Sequence, residues 1–98
     1  MVILTSYSVY VLLCKNGAYY TGYTRDVKKR MRQHLLGVGA RYVRIHKPQK
    51  IVYIEELETR SKAMKREREI KQFSHARKRK MARAYLRKKP KETLRTPM

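Results

Sequence analysis

The sequence predicts a small α/β domain, because strand-like and helix-like segments alternate and turn or capping residues separate them. Residues 7–14 (YSVYVLLC) are rich in β-branched and aromatic types and read as a strand. Lys15, Asn16 and Gly17 give a turn signal, and residues 18–23 (AYYTGY) read as the second strand of a hairpin. Asp26 is placed to cap a first helix, in which Val27, Met31, His34 and Leu35 recur at helical spacing before Gly37 stops it. Residues 37–49 carry Gly, Pro and basic groups and read as a loop, and residues 50–57 (KIVYIEEL) read as a third strand. Thr59 is placed to cap a second helix over 60–72, and Ser74 a third over 75–87. Residues 1–87 therefore read as one folded domain. Residues 88–98 form a basic, proline-containing tail expected to be disordered.

The charge balance points to a partner. The chain has 98 residues, with 26 Lys and Arg against 7 Asp and Glu, a net charge of +19. Such an excess favours a polyanion: DNA, RNA or an anionic membrane surface. The charge is uneven, since residues 60–98 hold 16 Lys and Arg against 3 acids. A membrane binder wants aromatic and leucine anchors along an amphipathic helix. The third helix offers only Met81, Ala84, Tyr85 and Leu86, a thin apolar face. No apolar run approaches the roughly 20 residues that span a bilayer, and no signal peptide is evident, so a cytoplasmic protein without a membrane partner is expected. The single cysteine, Cys14, excludes an intrachain disulfide and reads as a small buried apolar residue.

Three groups of residues look chemical. Projected at 100° per residue, the second helix puts Ala63, Met64 and Ile70 on one side, Phe73 at its edge and Glu67 near the middle of the stripe. A carboxylate there is costly unless it is paired or binds a metal. A structural ion pair with a nearby arginine and a metal or acid–base site are both open at this point. In the first helix His34 lies within the apolar stripe, one turn after Arg30. A satisfied core histidine and a phosphate-binding pair are the competing readings. The hairpin carries Tyr7, Tyr10, Tyr19, Tyr20 and Tyr23, which β-propensity alone accounts for. Phosphodiester chemistry uses a carboxylate-held Lewis acid, a cation for developing charge and a base for water.

Order and spacing add specificity. Ser8-Val9-Tyr10 followed after nine residues by Tyr20-Thr21-Gly22 resembles the GIY…YIG signature of the GIY-YIG endonucleases. Arg30 follows Gly22 by eight residues, where that family has its arginine, and His34 stands four further on. The stretch SKAMKREREIKQ resembles the helix bearing the family's metal-binding glutamate, which matches Glu67. Gly37-Val38-Gly39-Ala40-Arg41 resembles a loop of the small stand-alone members. The resemblance covers about residues 7–85. The departures are Ser8 and Val9 for Gly and Ile, and Thr21 for Ile.

The resemblance implies an α/β fold with a central three-stranded antiparallel sheet flanked by helices. It implies a divalent-metal-dependent endonuclease acting on nucleic acid, DNA above all, with Mg²⁺ or Mn²⁺ held by Glu67. Tyr10 would be the general base, Tyr20 would bond water or phosphate, and Arg30 with His34 would bind the scissile phosphate. Lys28, Lys29, Arg41, Arg44, Arg66 and Lys71 are the candidate nucleic-acid contacts. A DNA-repair role is one of several that such a chemistry would serve. The rival is a non-catalytic basic DNA- or RNA-binding protein on the same fold. One register requirement follows. A two-residue Asn16-Gly17 turn would send Tyr10 and Tyr20 to opposite faces, whereas a three-residue Lys15-Asn16-Gly17 loop sets Tyr20 beside Leu12, on Tyr10's face. The three-residue form is expected.

Overall fold

The computed structural model describes residues 6–88. Of the tail expected at residues 88–98, Lys88 instead ends the last helix, and residues 89–98 lie outside the described residues, as do residues 1–5. Seven elements follow in order: β1 (Tyr7–Cys14), β2 (Tyr19–Thr24), α1 (Val27–Leu35), α2 (Arg41–His46), β3 (Pro48–Leu57), α3 (Arg60–Lys71) and α4 (His75–Lys88). The strands form one antiparallel sheet in the order β2-β1-β3. The expected α/β class and three-stranded sheet are therefore present.

The hairpin takes the three-residue form. The Cys14 amide donates to the Ala18 carbonyl at 2.8 Å, and the Gly17 amide donates to the Cys14 carbonyl at 2.9 Å. Asn16 Oδ1 accepts from the Ala18 amide at 3.1 Å. Gly17 has φ +87°, a left-handed conformation that side chains disfavour. Leu12 consequently faces Tyr20, and Tyr10 faces Gly22.

The sheet separates two packed layers. On one face Tyr10, Leu12 and Ile51 pack with Met31 of α1 and Val43 of α2, with Tyr20 and Ile54 alongside. On the other, Val9, Val11 and Val52 pack with Ala63 and Ile70 of α3 and Ala82 of α4. The β1–β3 ladder slips between Val11 and Leu12, where Tyr53 and then Ile51 are the partners. Val52 is the extra residue of this bulge, which lets Val52 and Tyr53 serve one layer while Ile51 and Ile54 serve the other. Cys14 is buried with a free thiol, as expected of a small apolar residue.

Side-chain caps start three helices where expected. Asp26 Oδ1 accepts from the Lys29 amide at 3.0 Å, Thr59 Oγ1 from Lys62 at 3.1 Å and Ser74 Oγ from Arg77 at 3.1 Å. The end of α1 is a Schellman turn. The Gly37 amide returns to the His34 carbonyl and the Val38 amide to the Gln33 carbonyl, with Gly37 at φ +79°.

The segment 37–49 departs from its reading as a loop. It contains the six-residue helix α2, and β3 begins at Pro48 rather than 50. α2 has no side-chain cap at Ala40 and buries only Val43, so neither a cap nor a stripe marks it in the sequence. Burial of Val43 and the left-handed turn at Lys47 (φ +60°) hold it in place. The apolar face of α4 also differs in detail. Ala82 is the buried residue and Ala84 is exposed, with Met81 and Leu86 packed at the margin.

Nothing lies within 4 Å of a Cβ added at Gly17, so any cost of substitution there is a backbone cost. Gly17→Ala is expected to lower unfolding free energy by about 1–2 kcal/mol in urea denaturation, with Gly17→Asn costing less. An unchanged midpoint for the alanine variant would contradict this hairpin geometry.

Candidate functional site

Four of the expected site residues meet on one face of the sheet. Tyr10 points inward from the central strand and is 2% exposed. Its hydroxyl lies 2.9 Å from His34 Nε2, a contact between β1 and α1 across 24 residues. The Tyr20 ring stands 6.3 Å from the Tyr10 ring and edge-on to His34 at 5.7 Å. Arg30, half-buried on α1, donates to Gln33 Oε1 at 3.0 Å and acts on both tyrosine hydroxyls.

Gly22 makes this packing possible. Tyr10 lies flat under the backbone of β2, and a Cβ at Gly22 would come 2.7 Å from the Tyr10 hydroxyl oxygen and 2.9 Å from Cζ. Only glycine fits there without moving a buried ring. Gly39 plays the same part for His34, since a Cβ there would run into His34 Nδ1.

Burial dominates the electrostatics. It pushes the Tyr10 hydroxyl up to about 12, with Arg30 opposing and the charges of Tyr20 and Glu67 adding to the rise. Tyr20 is raised for the same first reason. Burial and then the Arg30 charge lower His34 to about 4, so the imidazole is neutral at pH 7. Its Nδ1 is buried and has no hydrogen-bond partner among the described residues. Its Nε2 shares one hydrogen bond with the Tyr10 hydroxyl.

Glu67 approaches from the other layer. It lies on α3 between Ala63 and Ile70, both 0% exposed, and its own side chain is 17% exposed. Its charge reaches Tyr10 and Tyr20, although those rings belong to the opposite face. Its ion pair is with Lys71, an exposed neighbour one turn along, at 3.6 Å. That pair is long and solvent-exposed on the lysine side, so the carboxylate is not locked in an internal bridge. No group of three or more His, Cys, Asp or Glu fit to hold a metal occurs among the described residues. A single carboxylate, with no second acid, His or Cys grouped with it among the described residues, suits a hard cation that keeps its waters and takes phosphate oxygens, and does not suit zinc.

The candidate phosphate contacts divide. Lys29 lines a cleft of about 320 Å³ with Arg30, Arg25 and Tyr23, while Lys28 stands exposed on α1. Arg41 and Arg44 are exposed on α2. Arg66 is turned toward β3, where it pairs with Glu55 at 2.9 Å and Glu69 at 3.1 Å. Sequence reasoning missed Tyr42, whose ring stacks on Tyr20 at 6.2 Å and 20°. It lay in the segment read as a loop, where no periodicity could assign it a face. Arg25 and Arg60 were also missed. Arg60 Nε donates to the Tyr23 hydroxyl at 3.3 Å, extending the basic surface beyond the cleft.

A three-stranded α/β unit with two tyrosines, an arginine and a histidine on one face and a lone glutamate from the next layer defines a small catalytic-domain class. The profile of the GIY-YIG catalytic domain matches residues 6–82. The chain is 47% identical over 73 residues to a UPF0213 protein of Staphylococcus saprophyticus, covering 74% of this chain and 89% of that one. Its fold is similar to the solution NMR structure of a UPF0213 protein from Bacillus halodurans (TM-score 0.51, 37% identity, 81% of this chain and 84% of that one). A protein from E. faecalis, also solved by NMR, gives TM-score 0.57 at 33% identity over 87% of this chain and 91% of that one. The chain belongs to the GIY-YIG family, and it carries that family's fold.

Two measurements test the site's packing. Gly22→Ala is expected to cost about 1–3 kcal/mol in stability through overpacking, with a change in Tyr10 ring environment seen by NMR. For His34 the unfolded chain takes up the proton first as pH falls, because the folded pKa lies below the free value. Its contribution is complete above about 6.5 and is lost between 6.5 and about 4. Stability should therefore drop over that window by no more than about 3 kcal/mol. His34→Gln should flatten that part of the stability–pH curve, and an unchanged slope would refute the neutral buried imidazole.

Proposed function

We propose that this protein is a divalent-metal-dependent endonuclease that hydrolyses phosphodiester bonds in nucleic acid, with DNA as the expected substrate. The observation that carries the reading is the convergence of Tyr10, Tyr20, Arg30 and His34 on one face, with the Glu67 carboxylate in electrostatic reach. A pure binding protein has no need for a half-buried glutamate within electrostatic reach of two phenols. Family membership and the net charge of +19 give independent support.

In this reading Arg30 binds the scissile phosphate and offsets charge that develops on its oxygens. Tyr20 donates a hydrogen bond to phosphate or to the attacking water. Tyr10, once ionised, accepts the proton of the attacking water; the new P–O bond forms as the bond to the leaving sugar oxygen breaks, and that oxygen takes a proton from solvent. The Tyr10 oxygen hydrogen-bonds His34 Nε2 and feels the Arg30 guanidinium, which favours the ionised form against the opposing effect of burial. Mg²⁺ or Mn²⁺ held by Glu67 would supply Lewis acidity and further positive charge at the phosphate. Lys28, Lys29, Arg41 and Arg44 would contact flanking phosphates. Lys71, the neighbour of Glu67, would contribute another such charge. Arg66 belongs instead to the ion pairs that hold α3 on β3.

The second reading, a basic DNA- or RNA-binding protein without catalysis, is favoured by one observation: the Tyr10 hydroxyl at about 12 is a poor base until further positive charge arrives. The two readings separate in a cleavage assay on labelled single-stranded, duplex and branched DNA, with Mg²⁺, Mn²⁺ or EDTA. Wild type should cut only with metal. Glu67→Ala and Arg30→Ala should each lose on the order of 10²-fold or more in rate. Binding should persist in Glu67→Ala and weaken steeply as salt rises, through counterion release. Absence of cleavage by wild type on every substrate would leave only the binding reading.

A further inference from the structure

The exposed apolar surface is concentrated in one place. Among the described residues the exposed large hydrophobics are Leu36, Val38, Tyr42 and Ile45, at 76%, 68%, 40% and 58% exposure. All four lie between the end of α1 and the end of α2. This patch joins the site through a series of rings. Tyr20 stands edge-on to the buried His34, Tyr42 stacks on Tyr20, and His46 packs against Tyr42 at 4.3 Å. The series begins in the core at His34 and reaches the surface at Tyr42. Its neighbour His46, half-buried, is held in place, since His46 Nδ1 lies 3.0 Å from Asn16 Nδ2 of the hairpin loop.

A rigid ring beside apolar side chains is a surface for stacking. Arg41 and Arg44 flank it, so a second copy of this chain, with net charge +19, meets like charge there. An anionic strand does not. A continuous duplex keeps its base faces covered by neighbouring pairs and presents only edges and phosphates. An unpaired base has a free face, and aromatic rings bordered by cations are how proteins hold single strands.

On the other side of Arg30 the surface changes character. The cleft there is lined by Arg25, Lys29 and Tyr23 and is polar, suited to backbone phosphates. The site thus has two unlike flanks, one for a base and one for phosphate.

We propose that α2 is a base-stacking platform. Tyr42 takes an unpaired nucleobase next to the phosphate bound at Arg30, which makes the substrate class a single strand or an unpaired stretch rather than uninterrupted duplex. This rests on the nucleic-acid reading above but not on catalysis, and it is tested without cutting. Fluorescence anisotropy in EDTA compares a labelled single-stranded oligonucleotide with the same sequence as duplex. Tyr42→Ala should weaken single-strand binding roughly fivefold or more while leaving duplex binding within about twofold, and Tyr42→Phe should restore it. A 2-aminopurine placed in the strand should be quenched by wild type and by Tyr42→Phe, and not by Tyr42→Ala. Matching thermal melts by circular dichroism exclude misfolding.

Equal losses on both substrates, or none, would overturn the platform while leaving the nucleic-acid reading intact. So would an Ile45→Glu variant that converts a dimer to a monomer without altering single-strand affinity. Failure of wild type to bind either substrate would overturn both readings.

Discussion

The site depends on the register of one hairpin. Because side chains alternate across a strand, a loop one residue shorter would move Tyr20 to the other side of the sheet from Tyr10. The positive φ of Gly17 selects the longer loop, and Gly22 then lies opposite Tyr10. With no side chain at Gly22, the Tyr10 ring can pass beneath β2 and meet α1. The contact with His34 and the influence of Arg30 on both phenols follow from that one placement.

The residues of the cluster also compromise one another. Burying Tyr10 and His34 gives a well-packed face but disfavours the charged form of each. Tyr10 is kept protonated and His34 is kept neutral. The neutral imidazole hydrogen-bonds the phenol oxygen, and the adjacent guanidinium is the main local charge favouring ionisation. The arrangement is that of a group held short of reactivity until substrate or a cation changes the balance.

Much of this was legible in the sequence, for physical reasons that differ by element. The strands and the three capped helices announce themselves because Asp26, Thr59 and Ser74 must satisfy orphan amides and because buried stripes impose a period. Gly17 gives away the loop because few other residues take its conformation. Glu67 stood out because a carboxylate within an apolar stripe needs an explanation. α2 was not legible. One buried valine and no cap leave no pattern, and its position is set by tertiary packing. Tyr42 was hidden with it. The orientation of Arg66 was equally hidden, since its partner Glu55 lies 11 positions away on another element.

Arg66 and Glu67 are adjacent in sequence yet point in different directions from α3. The guanidinium bonds to Glu55 on β3 at 2.9 Å and to Glu69 at 3.1 Å, and lies over the Phe73 ring. Successive side chains on a helix are splayed by about 100°, so fastening one fixes the azimuth of the next. The bridge to Glu55 therefore works as a rotational stop. It sets the direction in which the carboxylate looks, and the helix cannot roll about its axis without breaking the ion pair that ties it to β3.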